Sequence, residues 1–154
     1  MIRRAGPRDL DTLAALWTAL TAHHAKIDPV FAVRAGADLE IRHLVDAMLR
    51  DPDAAVFVCE TTPGRLLGFC AVRVDRAPPI LVETDRAEIT DLLVRDGERR
   101  CGLGRRLVES ASAWVEQQGL DRCEVRVAAR NDEGQAFWRA MGFGDLMHVL
   151  QRRL

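Results

Sequence analysis

The sequence predicts a three-layer α/β domain, a mixed and mostly antiparallel sheet with helices on both faces. Three observations lead there. Strand-like and helix-like stretches are interspersed along the whole chain, with no internal repeats, low-complexity segments or linkers. Two strand-like runs flank the turn Thr62-Pro63-Gly64-Arg65, which has proline and glycine in the order a hairpin turn expects. From Glu88 to Gln118 a buried strand runs into a basic glycine turn and then into an amphipathic helix.

Taken in order, Met1–Ala5 is a short edge-type strand. Pro7 suits the first turn of a helix, where its missing N–H costs nothing. Leu10, Leu13, Trp17 and Leu20 form the buried stripe of that helix, which is expected to run to about Thr21. His23–Ala37 is less regular, with Asp28-Pro29 and Gly36 as breakers. A second helix spans Asp38–Arg50, with Ile41, Leu44, Val45 and Met48 on one face, and Asp51-Pro52 ends it. Ala54–Glu60 and Leu66–Asp75 are the hairpin strands, and Ala77–Arg86, with Pro78-Pro79, is a loop.

Glu88–Val94 has the length and apolar content of a buried strand, and Asp96-Gly97 is a turn signal. Leu103, Leu107, Ala111, Trp114 and Val115 then recur at helical spacing until Gly119 stops the helix. In Asp121–Ala128, Cys123, Val125 and Val127 alternate with Glu124 and Arg126, as in a half-buried strand. Asn131–Met141 is a short helix stopped by Gly142. Phe143 and Leu146–Leu150 are expected to close the chain as one or two strands.

Composition narrows the function classes. A chain of 154 residues suits one domain over 1–154 with a single core. Its 48% hydrophobic and 29% charged residues are those of a folded globular chain. A net charge of −1 gives no global field that favours nucleic acid or an anionic membrane. No run is apolar for the length of a membrane span, and the opening M-I-R-R-A-G-P-R-D lacks the apolar core of a secretory signal. Cys59, Cys70, Cys101 and Cys123 have no metal-ligand spacing, so no metal is expected. Three of them lie in strand patterns as buried free thiols, and a cytoplasmic location with reduced thiols is the expectation.

The glycine turn carries the chemistry. The first turn of a helix leaves backbone N–H groups without partners, and the macrodipole adds partial positive charge. Gly102 and Gly104 sit where a helix begins, and glycine lets backbone approach a phosphate closely. Arg99, Arg100, Arg105 and Arg106 surround that end with full charges. On this spacing alone, phosphate binding and a plain helix entry with solvated arginines stand level. Gly102-Leu103-Gly104-Arg105-Arg106-Leu107 lacks the third glycine of a dinucleotide fingerprint, and no later strand–helix repeat could build that fold. There is no G-x-x-x-x-G-K-[ST], which excludes an ATP-hydrolysing P-loop.

Arg99-Arg100-Cys101-Gly102-Leu103-Gly104 resembles the R/Q-x-x-G-x-G/A signature of the GCN5-related N-acetyltransferases. Asn131–Phe143, N-D-E-G-Q-A-F-W-R-A-M-G-F, is similar to that family's N-x-x-A-x-x-F-Y-x-x-x-G-F segment. The resemblance implies that the Glu88–Val94 and Asp121–Ala128 strands are parallel and splay at their C-terminal ends. It implies an acetyl-coenzyme A cosubstrate whose pantetheine arm pairs with the backbone of Leu92, Leu93 and Val94. Arg99, Arg100, Cys101, Gly102, Leu103, Gly104 and Arg105 would hold its phosphates, and Asn131, Phe137 and Trp138 would line the arm. Asn131 is equally a helix N-cap by type.

The reaction so implied is acyl transfer from a thioester to the amine of a small molecule or peptide, by direct attack in a ternary complex. An amine of pKa about 10 is mostly protonated at neutral pH and needs a base. Glu88 matches a catalytic glutamate of the family's histone-acetylating branch; a solvated strand-end carboxylate is the alternative. Asp91, three residues on, should leave the opposite face of the strand. The Leu92 or Leu93 N–H would serve the oxyanion, with Leu93 the named candidate. His24 and Asp28 fall where the family shapes its acceptor site, though helix-end residues of this kind are commonly just solvated. Two positions depart from the family pattern. Trp138 stands where the family has tyrosine, in a chain with no tyrosine at all, and indole supplies no acid. Gly134 stands where the family has alanine, at about 1 kcal/mol of helix propensity. The first departure motivates a second reading, a non-catalytic acyl-coenzyme A-binding or sensing domain. Family habit adds a homodimer as a partner.

Overall fold

The structure, a computed structural model, describes residues 1–154. One sheet takes its strands in chain order: β1 (Ile2–Arg4), β2 (Ala54–Glu60), β3 (Leu66–Arg76), β4 (Asp85–Val94) and β5 (Cys123–Val125). All neighbours are antiparallel except β4 and β5. A parallel pair needs a crossover, and α3 (Leu103–Gln117) supplies it. Helices α1 (Leu10–Ile27) and α2 (Asp38–Arg50) cover one face, and α3 and α4 (Asp132–Ala140) the other.

The central strand β3 is buried on both sides, so its side chains divide between two cores. Phe69 and Ala71 join Leu13, Leu16, Trp17, Leu20 and Val45 on the α1–α2 face, with the Trp17 and Phe69 rings 4.7 Å apart. Cys70 and Val72 join Leu107, Val108, Ala111 and Trp114 on the α3 face. The expected apolar face of α3 is buried in full. The edge strand β1 is fixed by charge: Arg3 donates to both Asp9 oxygens at 2.8 Å and to Glu60 at 2.6 Å. The Arg3 guanidinium holds the buried Asp9 carboxyl below the usual range, and Glu60 falls to about 2 through Arg3 and the Gly64 N–H.

Four expectations need correction. Helix α1 continues through His23 and His24 to Ile27, because Ala22-His23-His24-Ala25-Lys26 contains no breaker before Asp28-Pro29. Leu44 is exposed: α2 packs chiefly on α1 and β2, and just Val45 of its stripe is fully buried. Strand β5 is shorter than Asp121–Ala128. The strands expected from Phe143 and Leu146–Leu150 do not form; Gly144–Leu154 is exposed and without regular structure. An apolar run becomes a strand only where an edge accepts its backbone groups, and no edge of its own domain does so.

Gly68 sets how closely β3 and β4 approach. A Cβ there would lie 2.4 Å from the Leu93 carbonyl oxygen and 3.2 Å from Val94 Cα. Gly68→Ala should therefore lower stability by about 2 kcal/mol, read as an earlier urea midpoint at unchanged slope. An unmoved midpoint would mean that the two strands separate without cost.

Candidate functional site

Strands β4 and β5 pair at Ala87–Cys123, Glu88–Glu124 and Ile89–Val125, and then part while β4 continues to Val94. A β-bulge sits at the point of parting. Val72 faces Ile89 and Ala71 faces Asp91, so Thr90 is the extra residue. Its hydroxyl is buried. The bulge resets the alternation of side chains. Glu88 opposes Arg73 and Asp91 opposes Ala71, so both carboxylates leave the α1–α2 face. The expectation of opposite faces fails because one residue is inserted between them.

Hydrogen-bond parity decides which backbone groups face the gap. The Arg95 N–H donates to the Leu67 carbonyl at 2.9 Å. Alternation along an antiparallel ladder then turns the Leu93 N–H toward β3, and those of Leu92 and Val94 into the gap. Leu93 is thus committed to the sheet, and Leu92 presents the free donor. The Val94 carbonyl, also on the gap side, accepts from Arg99 Nε at 3.2 Å.

The two carboxylates differ. Glu88 is buried and accepts from Arg73 Nη2 at 2.8 Å and Nε at 3.2 Å, with Arg126 Nε 3.3 Å from its other oxygen. Asp91 has no such clamp. Burial pushes its carboxyl up and the Glu88 charge adds to this, while the Thr90, Trp17 and Arg73 side chains pull the other way. Strand parity read from one strand cannot register a bulge, and so puts Asp91 on the face opposite Glu88.

Along the glycine turn, Gly102 takes a left-handed φ of 80° and caps α3 without a side chain. The bond from Arg106 N–H to Gly102 C=O, 3.1 Å, opens the helix. The N–H groups of Leu103, Gly104 and Arg105 before it have no intrahelical acceptor. Arg99 is spent within the turn, on Val94 and on ion pairs with Asp96 (3.0 Å) and Glu133 (3.6 Å). Arg100, Arg105 and Arg106 are exposed and form no ion pair. The Cys101 thiol bonds the Glu98 carbonyl at 2.8 Å and closes the turn. Free backbone donors beside free guanidiniums fit a multiply charged anion such as a pyrophosphate.

Helix α4 docks on this end of α3. A Cβ on Gly104 would lie 3.4 Å from the Phe137 ring, so the missing side chain admits the aromatic. Trp138 is buried, edge-to-face with Phe137 at 5.0 Å and with Phe143 at 5.1 Å. Asn131 caps α4 by accepting the Gly134 N–H at 2.9 Å. A Cβ on Gly134 would fall 2.5 Å from Asn131 Nδ2, so this glycine belongs to the cap. Across the gap, Asp28 bonds the Val30 N–H at 3.0 Å and lies 3.9 Å from Arg130, joining the α1 exit to the loop before α4. His24 neighbours His23 and Phe31; burial first, then the His23 charge, push its pKa down.

No helix is long and apolar enough to cross a membrane. A family model described as acetyltransferase (GNAT) family matches residues 17–143. No curated protein matches the chain. Among solved structures, the tetramutant of the BH1408 protein from Bacillus halodurans aligns over 100% of this chain and 99% of its own, at 20% identity and a TM-score of 0.87. A GCN5-related N-acetyltransferase from Ralstonia eutropha JMP134 aligns over 99% and 97%, at 19% identity and 0.78. AAC(6')-Iy in complex with the bisubstrate analog CoA-S-monomethyl-acetylneamine aligns over 100% and 97%, at 16% identity and 0.80. These likenesses show a common fold.

Because the Asp91 carboxyl is raised, the folded state binds its proton more tightly than the unfolded chain. This residue therefore costs stability as pH rises through that range. Asp91→Asn should raise the melting temperature more at pH 7 than at pH 4. A gain that grew toward acid pH would contradict the desolvation of Asp91.

Proposed function

Since the chain belongs to the GNAT acetyltransferase family, we propose that it transfers an acetyl group from acetyl-coenzyme A to the amine of a small molecule or peptide, by direct attack in a ternary complex. The observation that carries this reading is the glycine-led start of α3, with no side-chain cap and with unpaired arginines, set where β4 and β5 separate. The residues present fit the coenzyme: the N–H groups of Leu103, Gly104 and Arg105 with Arg100 and Arg105 would take its phosphates. The open backbone edge of β4 at Leu92 and Val94 would take its arm. The bound coenzyme supplies an acyl thioester.

Within the protein, Glu88 and Asp91 share the proton-accepting face. Glu88 is held in place by Arg73 and Arg126, which compete for its oxygens. The Asp91 carboxyl is held above the usual aspartate range, first by burial, and a raised base suits an amine that must lose a proton. The Leu92 N–H is a donor aimed into the gap, where the acetyl oxygen gathers charge. A thiol of pKa about 8.5 leaves without an acid from Trp138. The buried aromatic contacts of Trp138 favour one second reading, a domain that binds acyl-coenzyme A without turnover.

Arg100→Glu with Arg105→Glu should weaken acetyl-coenzyme A binding by about tenfold or more in calorimetry. Unchanged affinity would remove the phosphate assignment. With an amine that supports thiol release, Asp91→Asn should shift the acidic limb of the kcat/KM profile, and Glu88→Gln should lower kcat. Tight binding with no release across amines would favour the second reading.

A further inference from the structure

Two guanidiniums flank Glu88, and it uses up neither. Arg73 gives Nη2 and Nε to one oxygen of Glu88, and its Nη1 bonds nothing. Arg126 approaches the other oxygen through Nε, and neither of its Nη groups has a partner. The Glu88 side chain is 8% exposed, that of Arg73 49% and that of Arg126 82%. Two positive charges over one buried carboxylate leave positive charge in excess, and its donors stand on the solvent side.

The position of this excess bears on what can enter. Arg126 follows Val125, the last residue of β5 paired with β4, so it stands where the gap opens. Arg130 lies further along the same stretch, against Asp28. The carboxylates on this side are already engaged or withdrawn from water. Glu88 has its two arginines, Asp28 has the Val30 N–H and Arg130, and Asp91 is desolvated. A polycationic amine would meet guanidiniums and find no unpaired carboxylate. An amine that carries its own carboxylate would meet a planar fork of free N–H donors.

Resting on the acetyl-transfer reading, we propose that the acceptor is a free amino acid, its carboxylate held by Arg126 and the outer edge of Arg73 while its amine faces Glu88. The closeness of the two acceptor groups selects this class. In an α-amino acid a single carbon separates the nitrogen from the carboxyl group, and here the base and the guanidiniums are likewise in contact. A lysine side chain or a peptide N-terminus carries its amine far from the chain's terminal carboxylate. The ammonium gives one proton to Glu88 and becomes the nucleophile. Its nitrogen bonds the acetyl carbonyl carbon, and the carbon–sulfur bond breaks with its electron pair on sulfur. The second proton leaves nitrogen and reaches the thiolate through solvent, and the product is an N-acetyl amino acid.

The test is calorimetric titration of the full chain, saturated with coenzyme A, with free α-amino acids, their α-carboxamides, spermidine and 2-aminoethyl phosphate. At least one free amino acid should bind about tenfold or more tightly than its own carboxamide. Arg126→Gln should bring that ratio close to one, with circular dichroism and coenzyme A affinity unchanged, and Arg126→Lys should restore part of it. A merely structural arginine would not move the ratio. Carboxamides that bind as well as the acids, a ratio that survives Arg126→Gln, or no amino acid bound at millimolar concentration overturns the proposal. Tightest binding of 2-aminoethyl phosphate overturns the carboxylate in favour of a phosphate. Thiol release from acetyl-coenzyme A with spermidine and not with amino acids overturns this inference while acetyl transfer stands. A chain that binds no coenzyme A loses both.

Discussion

Strands β4 and β5 share three residue pairs and then release one another, and backbone groups beyond that point need other partners. Some are met inside the protein, as where Arg99 bonds the Val94 carbonyl. Others, at Leu92, face the gap. The strand can be open on that side because its other side is held hard. Gly68 lets β3 approach to a distance that a methyl group would forbid. The bulge at Thr90 lies at the point of release, so one irregularity both ends the pairing and places two carboxylates on the same face.

Charge is distributed with similar economy. The chain has a net charge of −1, so whatever anion selectivity it has must be local. Two kinds of arginine sit around the glycine turn. Arg99 is neutralised by Asp96 and Glu133 and shapes the loop. Arg100, Arg105 and Arg106 are left to solvent and to whatever arrives. Glu88 and Asp91 show the same division, one braced by guanidiniums and one desolvated. Two like groups in unlike surroundings are how a protein gives them different proton affinities.

Local rules made much of this legible. The bounds of α2, the buried face of α3 and the glycine turn that opens it depend on spacing and on residue type, and all three stand. The parity of Asp91 was out of reach, because a bulge is a property of two strands and only one was in view. The commitment of the Leu93 N–H to β3 was hidden for the same reason. Helix α1 outruns its apolar stripe because nothing at His23 and His24 stops a helix. The tail has the composition of a strand and forms none, because a strand also needs an edge that accepts its backbone groups.

Asn131 and Gly134 hold each other in place through 2.5 Å of forbidden space. Alanine at 134 is intrinsically the better helix residue, by about 1 kcal/mol, and it is the residue the family pattern carries. In this chain a methyl at 134 would meet the end of the Asn131 side chain in its present rotamer. The family pattern carries asparagine and alanine together at these two spacings, so the amide can cap beside a methyl only from another rotamer. The helix start here is therefore set by which rotamer the cap holds, and the propensity gain of alanine is offset for as long as Asn131 keeps this one.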